Sequence, residues 1–515
     1  MKNPIIETER LLLREYTLND FDALYEIMSD PETMQHYPAP FDKARTRRWI
    51  EWNLENYAQY GFGLWAVVLK KTGEFIGDCG ITIQNIDGEM LPEIGYHIQK
   101  KHWRKGFAKE AARAVRDWVF RNTDYDTVFS YMKYTNVGSW STAIANGMKK
   151  IKEYPDPKNM VSYAFAITRE EWEKLQESQD QMDQVRRRFP GISCAYRDAA
   201  GNETVEYYGA ADLENSILVD SNTIFPACSI SKFITAICVM EMRDQKLVDI
   251  NLPVNKYLHK WKLLRTDNTE SDATIRSLLC HTAGIVDGED SFYGLRRNDP
   301  EIRLMDILEG RTTYNNRPAR TEKPQGMAFE YSDAGYCVLQ QLLEEIAHQP
   351  FEEIARELVF DRLKLKHTFF ASPGNIAYYE SHATMATGYD ENWASVPGRF
   401  PQVPDLAASG LWSTPKELLL IAKEFIAAWD DRSSFLCRES AREMGKPVER
   451  FPWTGLGVFT GETDTLVSKG WGENGQCLLQ MNCRTGEIAV VMTNRNPGVD
   501  QKESGIEWLA GRHLT

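Results

Sequence analysis

A serine hydroxyl becomes a useful nucleophile only when a neighbouring base takes its proton, and an unprotonated lysine one helical turn away is such a base. Ser-x-x-Lys occurs three times in this 515-residue chain, at Ser130/Lys133, Ser229/Lys232 and Ser413/Lys416. The flanking residues separate them. Ser130 lies in a β-prone run, Thr127 to Met132, where residues three apart face opposite sides of a sheet. Ser413 precedes Thr414-Pro415-Lys416-Glu417, a capping box with Pro at the first helical position, which accounts for it without chemistry. Around Ser229, by contrast, Ile230, Phe233, Ile234 and Ile237 form an apolar stripe at helical spacing. Lys232 is then expected on the same helix face as the hydroxyl, desolvated and with a lowered pKa. His281, further on, reads as a structural core histidine, because Lys232 already supplies a base.

A second chemistry lies between Ile94 and Ala111. There a strand runs through Lys100, Lys101, Arg104 and Lys105 to Gly106 and into a long amphipathic helix. Unpaired N–H groups at a helix start, the positive end of the macrodipole and nearby cations together bind pyrophosphate. The run is neither a P-loop nor G-x-G-x-x-G, which weakens nucleotide hydrolysis and NAD binding as readings. A glycine at a strand-to-helix junction also serves as a plain turn. Glu93, on the strand itself, is either a base for an incoming amine or a solvated strand-end carboxylate.

The elements that must carry these residues follow from local pattern. Leu11 to Tyr16 is β-prone and Asp20 to Met28 helical, while Leu64 to Leu69 and Phe75 to Ile83 form a hairpin about a Lys71-Thr72-Gly73-Glu74 turn, with Glu93 to Gln99 as a third strand. Residues 169–188 turn strongly polar, as an exposed helix, a linker or a helix opening a new domain, and the boundary is placed between 176 and 177. Beyond it come a strand at Ile192 to Arg197, a mostly helical stretch, and a closing hairpin of Cys477 to Cys483 with Ile488 to Thr493. Strands at both ends with helices between them imply a sheet assembled from distant segments.

Composition narrows the function. Residues 1–172 hold 23 Lys and Arg against 24 Asp and Glu, leaving 37 against 50 in the remainder and a net charge of −14 overall. Such a chain lacks the basic stripe that nucleic acid requires, so small-molecule or peptide-like substrates are the expected partners. Nine cysteines without a Cys-x-x-Cys pair indicate neither a disulfide framework nor a zinc site, and no metal is expected. With no signal sequence and no apolar run of membrane length, a reducing cytoplasm is the expected setting, without membrane association. Oligomeric state is not indicated.

Two family resemblances add to this reading. Residues 5–168 resemble the GNAT N-acetyltransferases, in particular those acting on ribosomal-protein N-termini, through Glu9-Arg10-Leu11-Leu12-Leu13-Arg14, Glu93-Ile94-Gly95-Tyr96, Trp103 to Ala108, Asn136-Val137-Gly138-Ser139 and Asn146-Gly147-Met148. The resemblance implies acetyl-CoA as co-substrate, with Arg104, Lys105, Gly106, Phe107 and Ala108 at its pyrophosphate, Asn136 on the pantetheine arm and Ile98 among the residues that bind it. It makes Glu93 the base and has Ser139 steady the departing thiolate. Trp103 replaces a common Gln or Arg, and Ala143 replaces a Tyr that some relatives use as an acid.

Residues 180–515 resemble serine β-lactamases, penicillin-binding proteins and related D-aminopeptidases and esterases. The motifs are Ser229-x-x-Lys232, Tyr331-Ser332-Asp333 and Lys469-Gly470-Trp471-Gly472, supported by Ile275 to Ile285, Ala408 to Thr414 and Val490 to Asn494. Carried over, Ser229 is the nucleophile, Lys232 its base and Tyr331 the proton relay. Asp333 and Lys469 belong to the second and third motifs, and the oxyanion hole comes from the Ser229 N–H and one on the strand after Gly472. Asp333 stands where relatives usually have Asn, and Trp471 where they have Gly. The resemblances imply a mixed α/β GNAT sheet flanked by helices, followed by an α+β domain of antiparallel sheet, packing helices and an all-helical subdomain. A bifunctional acetyltransferase and serine hydrolase is the expected function. The alternative keeps the acetyltransferase and makes the second domain a non-catalytic sensor.

Overall fold

In the computed structural model, which describes residues 4–514, the chain divides after Asp180 into two units, Met1–Asp180 and Gln181–Thr515. The division lies four residues beyond the expected boundary. The polar segment around it is one helix, Arg169–Arg186, not a linker. Trp172 belongs to the core of the first unit, whereas Met182 and Val185 are buried in the second.

The first unit is built on an eight-stranded sheet. Its spatial order is Ile6–Glu7, Leu11–Arg14, Leu64–Leu69, Phe75–Ile86, Glu89–Ile98, Thr127–Lys133, Met160–Thr168 and Lys149–Asp156. Every pairing is antiparallel except that of Glu89–Ile98 with Thr127–Lys133. That parallel contact has a single register pair, Glu93 with Phe129, so the ladder between the two strands is confined to that point. Helix Phe107–Asn122 buries Phe107, Ala111, Ala112, Val115 and Val119 against one face, a stripe at helical spacing. Helices Phe21–Met28 and Lys43–Tyr60 cover the other through a core of Leu24, Met28, Ile50 and Leu64. Asp42 caps the second of these by accepting from Arg45 N at 2.7 Å, and Gly61, at φ 76°, ends it.

The second unit carries a seven-stranded antiparallel sheet in the order Ile217–Leu218, Glu203–Asp212, Gly191–Arg197, Ile488–Thr493, Gly475–Asn482, Thr465–Gly472 and Phe459–Thr460. Gly191–Arg197 pairs with Ile488–Thr493, so the two ends of the unit meet in mid-sheet. Alternation sorts the faces. Cys194, Tyr196, Leu478 and Val491 pack with Ile506 and Leu509 on one side, while Cys477, Leu479, Val490 and Met492 join the main core on the other. That main core centres on helix Ser231–Asp244, buried almost all round, with the helix Pro415–Trp429 and the helical layer of Ile275–Leu279, Asp333–Ala347 and Phe351–Ala355. A small sheet of Phe225–Cys228, Leu411–Ser413 and Phe369–Phe370 leads the chain into the central helix.

Candidate active sites

In the second unit the strand Phe225–Cys228 ends on Cys228, held at φ 47° in the left-handed region that a cysteine seldom enters. Ser229 follows in a tight turn, two residues before the first residue of helix Ser231–Asp244, and its carbonyl accepts from Lys232 N at 3.1 Å. This turn, rather than a full helical turn, sets the pair face to face: Lys232 Nζ lies 3.0 Å from Ser229 Oγ. Lys232 also donates to Ala408 O at 2.9 Å, and Thr235, one turn on, donates to Ala407 O. The helix is thereby tied to the segment Leu406–Ser409. The other two Ser-x-x-Lys pairs are not assembled, since Ser130 bonds to Ile94 O and Ser413 shares a bond with Thr368.

Asp333 completes the centre, 2.6 Å from Lys232 Nζ. Burial by itself would lower the lysine pKa, but the charge of Asp333 and the Tyr331 phenol outweigh it and raise that pKa above its ordinary value. The expected depression is therefore reversed. Tyr331 interacts with both Ser229 and Lys232, and the ammonium stands 4.9 Å from its ring centroid. Burial raises the tyrosine pKa, although the residue as a whole is 41 % exposed at the mouth of the site. His281 stacks beneath Tyr331 at 4.3 Å and accepts at Nδ1 from Ser332 N. Its own burial, and then the Lys232 charge, push its pKa well down, so it remains neutral and positions the ring. Two carboxyl groups outside the sequence motifs approach Asp333. Asp287 accepts from Ser332 Oγ and Asp333 N, each at 2.6 Å, and Asp405 accepts from Tyr314. Burial, reinforced by Asp333, raises them to about 6 and about 7.

The third motif requires correction. On Thr465–Gly472 the residues alternate, and Gly470 and Gly472 face Ala227 and Cys228. Lys469 and Trp471 consequently face the opposite side, where Lys469 pairs with Glu507 at 2.6 Å and the Trp471 indole donates to Asn496. Neither reaches Ser229. The strand also stops at Gly472, so the segment after it is a two-residue turn, Glu473-Asn474, rather than more strand.

In the first unit, Glu93 lies at the single register pair of the parallel contact, beside Thr82, and is buried instead of solvated. Loss of hydration raises its pKa to about 8. On the same face Asp78 accepts from Tyr16, Trp49 and both His97 N and His97 Nδ1, and His97 Nε2 in turn meets the Tyr37 hydroxyl at 2.7 Å. Sequence reading missed this chain because Asp78, His97 and Tyr37 share no motif. Asp78 and His97 are nevertheless opposite partners in one hairpin. On the other face Tyr96 bonds to Ser139 O at 2.9 Å and Ser139 Oγ at 3.1 Å. Asn136 caps the helix Val137–Ala145, accepting from Ser139 N, and so fixes where that serine stands.

Gly106 starts helix Phe107–Asn122 at φ 82°, where an L residue is strained, and it supplies no side-chain cap to the first N–H groups. Arg104 and Lys105 are exposed beside it, Phe107 is buried and Ala108 half-buried. Arg10 braces the turn: it donates to Lys105 O, pairs with Glu110 and lies 4.5 Å over the Phe107 ring. Ile98 contributes its carbonyl, which accepts from Trp103 at 2.6 Å. A cation-flanked helix start fits the anionic end of a ligand.

Two known families match the chain. The beta-lactamase family profile matches residues 166–511, and that of the acetyltransferase (GNAT) domain matches residues 10–149. The chain belongs to the beta-lactamase family and carries a GNAT acetyltransferase domain ahead of that region. GNAT domains use acetyl-CoA as co-substrate. An uncharacterized N-acetyltransferase, p20, of Bacillus licheniformis is 30 % identical over 173 residues, 32 % of this chain and 96 % of its own. A teichoic acid D-alanine hydrolase of Staphylococcus aureus is 25 % identical over 213 residues, 41 % of this chain and 48 % of its own. Among solved structures, the D-amino acid amidase of Ochrobactrum anthropi SV3 aligns at a TM-score of 0.52 and 20 % identity, covering 64 % of this chain and 94 % of that one. The octameric penicillin-binding protein homologue of Pyrococcus abyssi aligns at 0.53 and 20 %, covering 66 % and 76 %. These two likenesses show the fold.

Proposed function

We propose that the chain is a bifunctional enzyme: an acetyl-CoA-dependent N-acetyltransferase joined to a serine hydrolase that cleaves amides or esters through an acyl-serine intermediate. The observation that carries the hydrolase half is the 3.0 Å contact between Ser229 Oγ and Lys232 Nζ at the head of a buried helix. When Lys232 is neutral it accepts the serine proton as Oγ bonds to the acyl carbon, Tyr331 passes a proton to the leaving group, and water then frees the acid. Gly472, against Cys228, keeps the neighbouring backbone close enough to join the Ser229 N–H around the developing oxyanion. In the acetyltransferase half, acetyl-CoA supplies the activated acetyl group. Arg104, Lys105 and the N–H groups from Gly106 to Ala108 hold its anionic end, while Glu93, with Tyr37 near it, takes the proton of the amine. Small or peptide-like substrates, not nucleic acid or membrane, suit both sites. A reducing cytoplasm suits nine free thiols.

The Lys232–Asp333 ion pair favours one other reading, a ligand-binding module with its base held protonated. Nitrophenyl acetate hydrolysis separates the two. Ser229→Ala should leave background hydrolysis only, and Lys232→Met should slow acylation by roughly 10² to 10⁴-fold. Lys133→Met and Lys416→Met, in the unassembled motifs, should change nothing. Parent-level turnover in a folded Ser229→Ala protein would leave the binding module.

A further inference from the structure

The Lys232 ammonium meets Ser229 Oγ at 3.0 Å, Ala408 O at 2.9 Å and the Asp333 carboxylate at 2.6 Å, with the Tyr331 phenol also against it. A lysine that donates to the serine oxygen cannot also take the serine proton, so this arrangement is latched. The latch is asymmetric. The Lys232 side chain is 4 % exposed and that of Asp333 is 23 % exposed, so the carboxylate is the member of the pair that reaches the cleft. Lys232 is the one cation paired with Asp333 Oδ1 among the described residues, so an incoming ammonium competes with it for that oxygen. The surroundings are short of positive charge. Asp287 comes from the segment after Ile285 and Asp405 from the one before Leu406, each approaching Asp333, and Asp405 Oδ2 has no hydrogen-bond partner. The other titratable groups facing the pair include Tyr331, Tyr336, Tyr314, Tyr293, Cys337 and the neutral His281.

We propose that this site takes substrates whose acyl group carries a free ammonium next to the scissile carbonyl, and that this ammonium, seated on Asp333, releases Lys232 to act as the base. The proposal rests on the acyl-serine reading above. Distance supports the position of the charge: the 3.0 Å and 2.6 Å contacts put Asp333 Oδ1 no more than 5.6 Å from Ser229 Oγ. An amine on the carbon adjoining the carbonyl spans that gap. The proton balance is complete. As the substrate ammonium takes over Asp333, Lys232 loses one proton to solvent. Ser229 Oγ then bonds to the acyl carbon and its proton moves to Lys232. The bond to the leaving amine or alcohol breaks, with Tyr331 protonating that group and recovering a proton from Lys232. Water hydrolyses the acyl-serine and restores the hydroxyl. An uncharged acyl group of the same size cannot compete for Asp333, so it reacts only through the small fraction of Lys232 that is neutral, and correspondingly slowly.

The test uses the full chain and three matched probes: alanine p-nitroanilide in both hands, its N-acetyl derivative and propionyl p-nitroanilide. For one hand of alanine, kcat/KM should exceed that of the two uncharged probes by about 10²-fold or more. Asp333→Asn should bring the ratio to within a few-fold, by losing rate on the amine and gaining it on the N-acetyl probe. Equal rates in the parent, or a ratio untouched by Asp333→Asn, overturn the proposal, and the parent comparison stands even if the variant fails to fold. Should the parent cleave none of the probes while Ser229 still reacts with a fluorophosphonate, the proposal fails and the hydrolase reading survives. If Ser229 is unreactive as well, the hydrolase reading itself has failed.

Discussion

Glu93 keeps its proton to about pH 8 because burial removes the water that would solvate its charge. Acetyl transfer that uses this carboxylate as base should therefore rise with pH through about 8, and Glu93→Gln should flatten that limb and lower the rate by roughly 10² to 10⁴-fold. The same shift is a stability statement. A carboxyl with a raised folded-state pKa costs no stability below its unfolded value near 4.5. The cost accumulates as pH rises from there to about 8, where the folded form must also ionise. Glu93→Gln removes that cost, so its melting temperature should gain on the parent between pH 5 and pH 9, and parallel curves would show that Glu93 ionises freely. Residue types made Glu93, Ser229 and Lys232 visible in the sequence. They did not reveal the sign of the lysine shift, which depends on whether a carboxylate 101 positions away ends beside it. Asp287 and Asp405 were invisible for the same reason, as neither stands in a motif.

At the scale of the element, strand alternation decides which residues of the third motif face the nucleophile. Lys469 and Gly470 are neighbours in sequence, but only the glycine lies against Ala227 and Cys228. A Cβ at 470 would sit 2.5 Å from Ala227 O, with the Cys477 thiol closer still. Gly470→Ala should accordingly cost about 1–3 kcal/mol of stability and slow acylation, because the strand must withdraw from the turn that holds Ser229. Lys469→Ala, which loses only an exposed pair with Glu507, should do neither. Unfolding in urea and nitrophenyl acetate turnover check both, and a large loss of turnover in Lys469→Ala would return that side chain to the site. The helix after Ser229 was legible from its apolar stripe. The strand's facing was not, because every residue from Ser468 to Gly472 is small, polar or aromatic and no apolar alternation marks the buried side.

Across the whole molecule, both folds were legible because each rests on several ordered motifs, and the sheet uniting Gly191–Arg197 with Ile488–Thr493 follows the expectation of strands contributed from both ends. The division was harder to read, since a helix whose two halves serve different cores is polar enough to pass for a linker. Fragments 1–180 and 181–515 should each be soluble and cooperative. Acetyl-CoA at 100 times Kd should stabilise the first by about 2.7 kcal/mol and leave the second unchanged, and Gly106→Trp should abolish the effect. An unshifted transition with acetyl-CoA in excess would remove the acetyltransferase reading. The central claim is that Ser229 is a working nucleophile, and intact-mass analysis of the whole chain after exposure to a fluorophosphonate tests it most directly. The account predicts one phosphonyl adduct per chain, located on Ser229 and absent from a folded Ser229→Ala protein. An unmodified parent chain, or an adduct that persists in Ser229→Ala, would contradict it.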